Sequence, residues 1–172
     1  EENANREPVN YILPPGITRE IDPASTSLTQ LNEQSLMLQV NDLEEGDAKA
    51  VYKSINMDFR NYENLKMFVH AEAVKGENLT DDDLYFFIRL GTDYNYNYYE
   101  YELPLKLTPE GTYSGNITSD RYIVWPDSNR VNVPLELFTN AKQKRNTEMH
   151  KSGSTISLQD IYKVAHEDWN GD

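Results

Sequence analysis

The chain has 172 residues, no cysteine, and a formal net charge of −13 that comes from 29 acidic against 16 basic side chains. This length fits one domain with a buried core. The acidity argues against nucleic acid and anionic membrane surfaces as partners, because both bind basic protein surfaces, and the lack of cysteine excludes disulfides and thiolate metal sites.

Residues 1–30 are predicted to form an extended N-terminal arm or an interdomain connection. Four prolines fall in this segment, at Pro8, Pro14, Pro15 and Pro23, and each proline fixes its own φ and biases the preceding residue towards extended backbone. The chain begins with Glu1 instead of Met, so we expect it to be a segment of a longer protein. No apolar run reaches the roughly 18 residues that a membrane helix needs.

Residues 31–172 are predicted to form a single, mainly β domain, a β-sandwich of the jelly-roll or galactose-binding type. Alternating apolar and polar side chains indicate half-buried strands, and they predict strands at 34–40, 65–73, 84–90 and 99–107. Residues 48–59 fit a helix or a strand, and we favour the strand. Short strands are also expected at 113–118 and 121–125, and closely spaced strands with Gly, Pro and Asn turns are typical of a sandwich.

One or two peripheral helices are expected towards the C-terminus. The first is predicted near 133–146, because Pro134 suits the first helical turn and apolar residues follow at helical spacing. A second is predicted near 157–168, where Ser157 and Asp160 resemble a capping box ahead of further apolar residues.

The connection between the two most regular strands is the candidate interaction surface. It consists of Asp93, Tyr94, Asn95, Tyr96, Asn97 and Tyr98. Tyrosine rings beside Asn and Asp groups suit sugar binding, which would make the chain a carbohydrate-binding module. We favour the alternative that Tyr99 and Tyr101 belong to the core while the loop tyrosines face solvent or a neighbouring domain, because alternation along a strand exposes only part of the cluster.

We expect no catalytic residues, no cofactor, no metal ion and no enzymatic activity. Three histidines, at His70, His150 and His166, lie in separate segments without the spacing of a zinc site. Glu100 and Glu102 fit the solvated face of a strand better than the acid pair of a hydrolase. The three aspartates at 81–83 could contribute to a calcium site, but we favour a turn ahead of the following strand.

Four stretches, in order, carry a resemblance to a known family. They are NYILPPGI at 10–17, LNEQSL at 31–36, NYENLKMFVHAEA at 61–73 and FIRLGTDYNYNYYEYELPLKLT at 87–108. Together they resemble the SprA/Sov family of very large outer-membrane proteins of Bacteroidetes, which are tied to gliding motility and the type IX secretion system. The resemblance covers residues 8–145. It implies that the chain is one segment of a translocon through which cargo proteins leave the cell, and it supplies no catalytic residue.

Charged residues decide which part of such a protein the chain could be. A membrane-spanning strand needs about 9–11 residues with one face wholly apolar, whereas the second faces of the predicted strands carry charges. We therefore expect a domain that does not itself span the membrane, on the periplasmic or extracellular side of the outer membrane. Its expected partners are other domains of the same large protein and secretion-system proteins, with a cell-surface glycan as the alternative and no nucleic acid.

Overall fold

A computed structural model describes residues 6–21, 23–24, 30 and 35–165, and it describes Arg60 by its backbone alone. The described part of the chain is a small mixed α/β domain with two antiparallel two-stranded sheets and two α-helices. The elements in chain order are β1 (Asn64–Met67), β2 (Tyr85–Gly91), β3 (Tyr98–Pro104), α1 (Thr118–Val124), β4 (Val131–Pro134) and α2 (Glu136–Met149). Short 3-10 helices lie at Phe59–Asn61 and Asp127–Asn129.

Strands β2 and β3 form a hairpin with the two faces that the sequence predicted. One face carries the apolar pairs Phe86 with Leu103, Ile88 with Tyr101 and Leu90 with Tyr99. The other face pairs Arg89 with Glu100 and Phe87 with Glu102. The predicted strands at 84–90 and 99–107 are thus confirmed over most of their length, with β3 ending at Pro104.

Strands β1 and β4 form the second sheet from segments that are far apart in sequence. Leu65 pairs with Val133 and Met67 with Val131, and both valines are fully buried. The Leu135 N–H then donates to the Glu63 carbonyl at 2.8 Å, so the pairing reaches the start of α2. The helix therefore begins at Glu136, after β4, in the region where a helix near 133–146 was predicted.

The main core cluster lies between α1 and the N-terminal segment. Val9, Ile12 and Val124 are buried there and are covered by the partly buried rings of Tyr113 and Trp125. The indole N–H of Trp125 donates to the Ile12 carbonyl at 2.9 Å. The segment that the sequence suggested as an arm or connection therefore supplies part of the core, because its few apolar side chains are buried against α1.

Two hydrogen bonds fix this N-terminal segment in register. The side-chain amide of Asn10 donates to the Tyr113 carbonyl at 2.8 Å and accepts from the Tyr113 N–H at 2.7 Å. Val9 also forms a parallel bridge with Gly111. The Asn10 side chain therefore pairs with both backbone groups of Tyr113, as a neighbouring strand would do in a sheet.

Several predicted strands differ from the structure. Residues 113–117 form no strand. Residues 118–124 form α1 instead of parts of the two predicted short strands, because helical spacing buries Val124 and lets the Trp125 N–H donate to the Arg121 carbonyl at 2.8 Å. The strand predicted at 65–73 is regular only as far as Met67. Residues 35–58 form no strand, and residue 34 lies outside the described part.

The described residues do not form a clear sandwich, and the second predicted helix is wrong where the structure describes it. A sandwich packs two sheets of several strands each, whereas each sheet in the described residues has two strands. Residues 157–165 form a turn and irregular chain instead of a helix, with the Ser157 N–H donating to the Asp160 carboxylate at 2.7 Å. Residues 166–168 of that predicted helix lie outside the described part. No helix of the described residues is long and apolar enough to cross a membrane.

Candidate interaction site

Asp93 organises the loop at the tip of the hairpin. Its Oδ1 accepts the backbone N–H groups of Asn95, Tyr96 and Asn97 at 3.0, 2.6 and 3.1 Å, and its Oδ2 accepts the Asn97 side-chain amide at 2.6 Å. An Asp that bonds the backbone following it is the usual basis of an Asx turn. These bonds, first of all the one from the Tyr96 N–H, hold the pKa of the Asp93 carboxyl well below its ordinary value.

Arg89 fixes the base of this loop to the strands. From β2 its Nε donates to the Glu100 carboxylate directly opposite on β3, which raises the pKa of the guanidinium. Its Nη1 donates to the Tyr94 carbonyl at 2.7 Å, and its Cζ lies 4.3 Å from the centre of the Tyr98 ring. One guanidinium therefore holds both strands and two loop residues.

Gly91 allows the chain to turn closely at the end of β2. The Thr92 N–H donates to the Asn97 carbonyl at 3.0 Å, and a Cβ built on Gly91 would lie 2.6 Å from the Tyr98 Cα. A side chain at this position would therefore collide with the backbone of the returning strand. The glycine is needed here for close approach.

The loop tyrosines differ in exposure. Tyr96 is 88% exposed and Tyr94 is 40% exposed, and the Tyr94 ring lies 5.2 Å from the ring of Tyr52. Within the strand, Tyr99 lies 5.6 Å from Phe138 of α2, and burial raises the pKa of the Tyr101 hydroxyl. Tyr99 and Tyr101 are therefore half-buried and lie outside the fully buried core, whereas Tyr96 faces solvent.

Two of the three histidines have structural contacts. His70 Nδ1 lies 2.8 Å from the Val124 carbonyl and Nε2 lies 3.0 Å from the Glu72 carboxylate, which also accepts from Arg6 at 3.1 Å. His150 Nδ1 lies 2.6 Å from the Asn146 carbonyl at the end of α2. His166 lies outside the described residues. Among the residues that are described, no group of three or more His, Asp or Glu side chains could hold a metal ion.

The aspartates at 81–83 bind the backbone around them. Asp81 Oδ1 accepts the Leu107 N–H at 2.9 Å, and Asp83 Oδ2 accepts the Thr80 N–H at 2.6 Å. The backbone and hydroxyl bonds from Thr80 lower the pKa of the Asp83 carboxyl. Asp83 therefore acts within the turn ahead of β2, as the favoured interpretation expected, whereas Asp81 joins this turn to the chain after β3.

A family model described as SprA_N, motility related/secretion protein, matches residues 1–172. The chain belongs to the SprA_N family. The resemblance to SprA/Sov proteins is thus confirmed, and the match includes the C-terminal residues that carried little of it. None of the curated proteins matches the chain.

Sequence reasoning missed two residues of this SprA_N hairpin site. The sequence analysis assigned no role to Arg89, although counting strand pairs outwards from the loop places it opposite Glu100. Opposite charges at directly paired positions are a readable signal. Tyr52 carried no signal of its own, because its contact with Tyr94 joins segments that no periodicity connects.

The arrangement suits recognition of a surface. Asp93 bonds the backbone within the loop, and Arg89 of β2 bonds the Tyr94 carbonyl at the base of the loop. Tyr96 extends into solvent. A large side chain on a preorganised loop loses little conformational entropy when it is buried by a partner. The site therefore has the properties of a contact point.

Proposed function

We propose that this chain is a structural and interaction domain of an outer-membrane protein-secretion translocon of the type IX system of Bacteroidetes. Membership of a motility and secretion family supports this proposal. The domain lies on the periplasmic or extracellular side and does not itself span the membrane. It binds other domains of the same large protein and other secretion proteins.

The exposed ring of Tyr96 is the observation that carries the proposal. Tyrosine is enriched at the centres of protein interfaces, where it supplies a large contact area with a polar tip. Tyr96 is 88% exposed on a loop whose backbone is already bonded to Asp93. Such a residue contributes little to the fold and is positioned to contribute to binding.

The bonds within the loop favour a protein contact over a sugar. A carbohydrate site combines an aromatic face with polar groups that bond sugar hydroxyls. Here both oxygens of Asp93 accept bonds from the loop itself, and the Asn97 amide donates to Asp93. The Asp93 carboxylate and the Asn97 amide are therefore engaged in shaping the loop.

The proposal includes the absence of hydrolase activity. Glu100 is bonded to Arg89, and Glu102 lies 3.6 Å from the Lys163 ammonium. A glycosidase needs two carboxylates that converge on one bond with different protonation states. Two carboxylates that are each paired with a cation on a strand face support a structural role. Turnover of a polysaccharide, ester or peptide that is lost in Glu100→Gln would overturn this part.

Replacing Tyr96 by Ala in the intact secretion protein tests the contact. We expect export of cargo to fall, because truncating a hot-spot tyrosine at an interface costs about 2 kcal/mol or more of binding. The unfolding free energy of the isolated chain should change by less than about 0.5 kcal/mol, since the side chain lies outside the core. Cargo in the medium and thermal unfolding are the two measurements.

Tyr85→Ala is the matched control, because Tyr85 lies in the same hairpin and is also exposed but is outside the loop. It should leave export unchanged. Normal export by the Tyr96 variant at wild-type expression would overturn the proposal. Binding of the isolated chain to a glycan array, lost in Tyr96→Ala, would replace it with the carbohydrate-binding module.

A further inference from the structure

A cleft of about 360 Å³ lies between the N-terminal segment and α1. One wall is the turn at 15–16, which the Ile17 N–H closes by donating to the Pro14 carbonyl at 3.2 Å. The other wall consists of residues between 115 and 122. Among the described residues that line the cleft, Arg121 alone is charged, so the cleft has a cationic group and no carboxylate.

Arg121 is fixed to the wall of the cleft through one of its three nitrogens. Its Nε donates to the Gly115 carbonyl at 2.6 Å, and both residues line the cleft. Within the part of the chain that the structure describes, Nη1 and Nη2 form no hydrogen bond or ion pair. The guanidinium is therefore held in place while the four N–H groups of its terminal nitrogens remain available.

Other cations of the chain lie close to carboxylates. Arg6 lies 3.1 Å from Glu72, and Lys151 lies 2.6 Å from Glu148. The chain has 29 acidic against 16 basic side chains, so a shortage of carboxylates does not explain why Arg121 lacks one. Its position in a cleft without acidic lining does.

Asp120 precedes Arg121 in the sequence, and its carboxylate is bonded to another part of the chain. It accepts the Ser114 N–H at 2.8 Å. After burial, which is the larger cause, the Asp120 charge also raises the pKa of the Tyr113 hydroxyl. A ligand anion in the cleft would therefore not have to displace a carboxylate of the chain from Arg121, although the net charge of −13 lowers its affinity.

We propose that this cleft binds an organic carboxylate, which accepts two parallel N–H bonds from the terminal nitrogens of Arg121. The planar guanidinium matches a carboxylate in this bidentate geometry, and one cation suits a monoanion better than a phosphate dianion. The cleft is larger than a carboxylate group, and the rings of Pro15 and Tyr122 in its walls suit the carbon body of the ligand. The proposal does not depend on the contact at Tyr96, because no residue of the loop 93–98 lines the cleft.

Titration of the full chain with benzoate, followed by nuclear magnetic resonance of the arginine Nε–H groups, tests the inference. Benzamide is the matched probe, because it has nearly the same shape without the charge. We expect benzoate to shift the Arg121 signal with saturation, and benzamide to bind about tenfold more weakly or less. Equal binding of the two probes would overturn the inference.

Arg130 is the matched control within the chain. It is exposed, its Cζ lies 5.4 Å from the centre of the Phe68 ring, and it has no described ion pair. Its Nε–H signal should not respond to benzoate. Equal shifts at Arg121 and Arg130 would show that benzoate meets surface arginines in general, and would overturn a site in the cleft.

Two substitutions of Arg121 test the bidentate geometry, with the backbone amides of Gly115 and Asn116 as the signals. Arg121→Gln should weaken benzoate binding about tenfold or more. Arg121→Lys keeps the charge but has no planar fork, so it should also bind more weakly than the wild type. Wild-type affinity in the folded Lys variant would overturn the bidentate contact. Tyr96→Ala should leave benzoate binding unchanged, which separates this test from that of the proposed function.

Two further probes define the ligand. Inorganic phosphate should bind about tenfold more weakly than benzoate, and phosphate that binds as tightly would overturn the assignment to a carboxylate. Glutamate blocked at both ends represents the side chain of a polypeptide. Binding of blocked glutamate at Arg121 supports a polypeptide as the source of the carboxylate, whereas binding of benzoate alone supports a free organic acid. No saturable shift at Arg121 with either carboxylate would overturn the inference.

Discussion

The β2–β3 hairpin and the core beside Trp125 are built over very different sequence distances. Hairpin pairs lie within residues 85–104, whereas the Asn10 to Tyr113 bond joins positions 103 residues apart and the Trp125 to Ile12 bond joins positions 113 apart. The hairpin is mostly half-exposed, and the core residues Val9 and Val124 are buried. The most regular segment of the sequence is thus not the centre of the fold.

Deleting residues 1–14 should have the largest effect. The deletion removes Val9 and Ile12 from the core, and one buried Ile alone contributes about 2–5 kcal/mol. It also removes Asn10 and the acceptor of the Trp125 indole, at about 1 kcal/mol or more each. Total stabilities are about 5–15 kcal/mol, so we expect the cooperative thermal transition to be lost.

Ile12→Ala provides the graded control for the deletion. It should lower the unfolding free energy by about 2–5 kcal/mol and keep a cooperative transition. If the shortened chain melts like the full chain, residues 6–14 are a peripheral arm, and the core belongs to the other elements.

Asn129→Ala should have the second-largest effect. Asn129 is fully buried, accepts the Lys106 N–H at 2.8 Å and donates to the Lys106 carbonyl at 2.7 Å. Alanine leaves both backbone groups unpaired, and each costs about 1–3 kcal/mol. We expect a loss of about 3 kcal/mol in denaturant unfolding. The exposed Asn132, on neighbouring β4, should tolerate alanine within about 0.5 kcal/mol.

Alternation predicted the hairpin because both partners of each pair lie in one continuous stretch. Phe86, Ile88 and Leu90 meet Tyr99, Tyr101 and Leu103 in the order that period two requires. The sheet of β1 and β4 was not predictable in the same way. Its strands have four residues each and lie far apart, and their pairing depends on which long-range contacts bury Val131 and Val133.

Helix α1 shows why short segments are misjudged. Residues 121–125 fit a strand as well as a helix, because an apolar run this short is compatible with both the two-residue period of a strand and the 3.6-residue period of a helix. The buried position of Val124 beside Val9 decides in favour of the helix, and that contact is invisible in local sequence. The prolines at 8, 14 and 15 gave no sign that Val9 and Ile12 would be buried.

Gly91→Ala should disturb the hairpin and spare the core. The new Cβ would lie 2.6 Å from the Tyr98 Cα, and such overpacking costs about 1–3 kcal/mol. We expect faster amide exchange in β2 and β3 with smaller changes around Trp125. Exchange that rises equally in both regions would mean that hairpin and core unfold as one unit.

The candidate site was partly predictable. An Asp followed by alternating Tyr and Asn indicates a loop with exposed rings, and the structure exposes Tyr96 accordingly. The support of this loop by Arg89 was not predicted. Its contacts with Tyr94 and Tyr98 can be inferred only when the register of β2 and β3 is known. The Tyr52 contact depends on a segment that the sequence analysis assigned to a strand and that the structure describes without one.

Acid should leave the hairpin loop ordered to a lower pH than an ordinary aspartate would allow, and this is the smallest effect. The bonds that Asp93 accepts lower its pKa in the folded loop. Its contribution to loop order is therefore complete above the ordinary value of about 3.9, and is lost only as pH falls through the lower folded pKa.

Amides of Asn95, Tyr96 and Asn97 should stay protected at pH 4, and Asp93→Asn should weaken that protection already at pH 7. Asp82→Asn should leave these three amides unchanged, and the melting temperature should not move in either variant, because the loop lies outside the core. Protection at pH 7 that is unchanged in Asp93→Asn would show that the loop is held by Arg89 and the strands instead of by the Asp93 carboxylate.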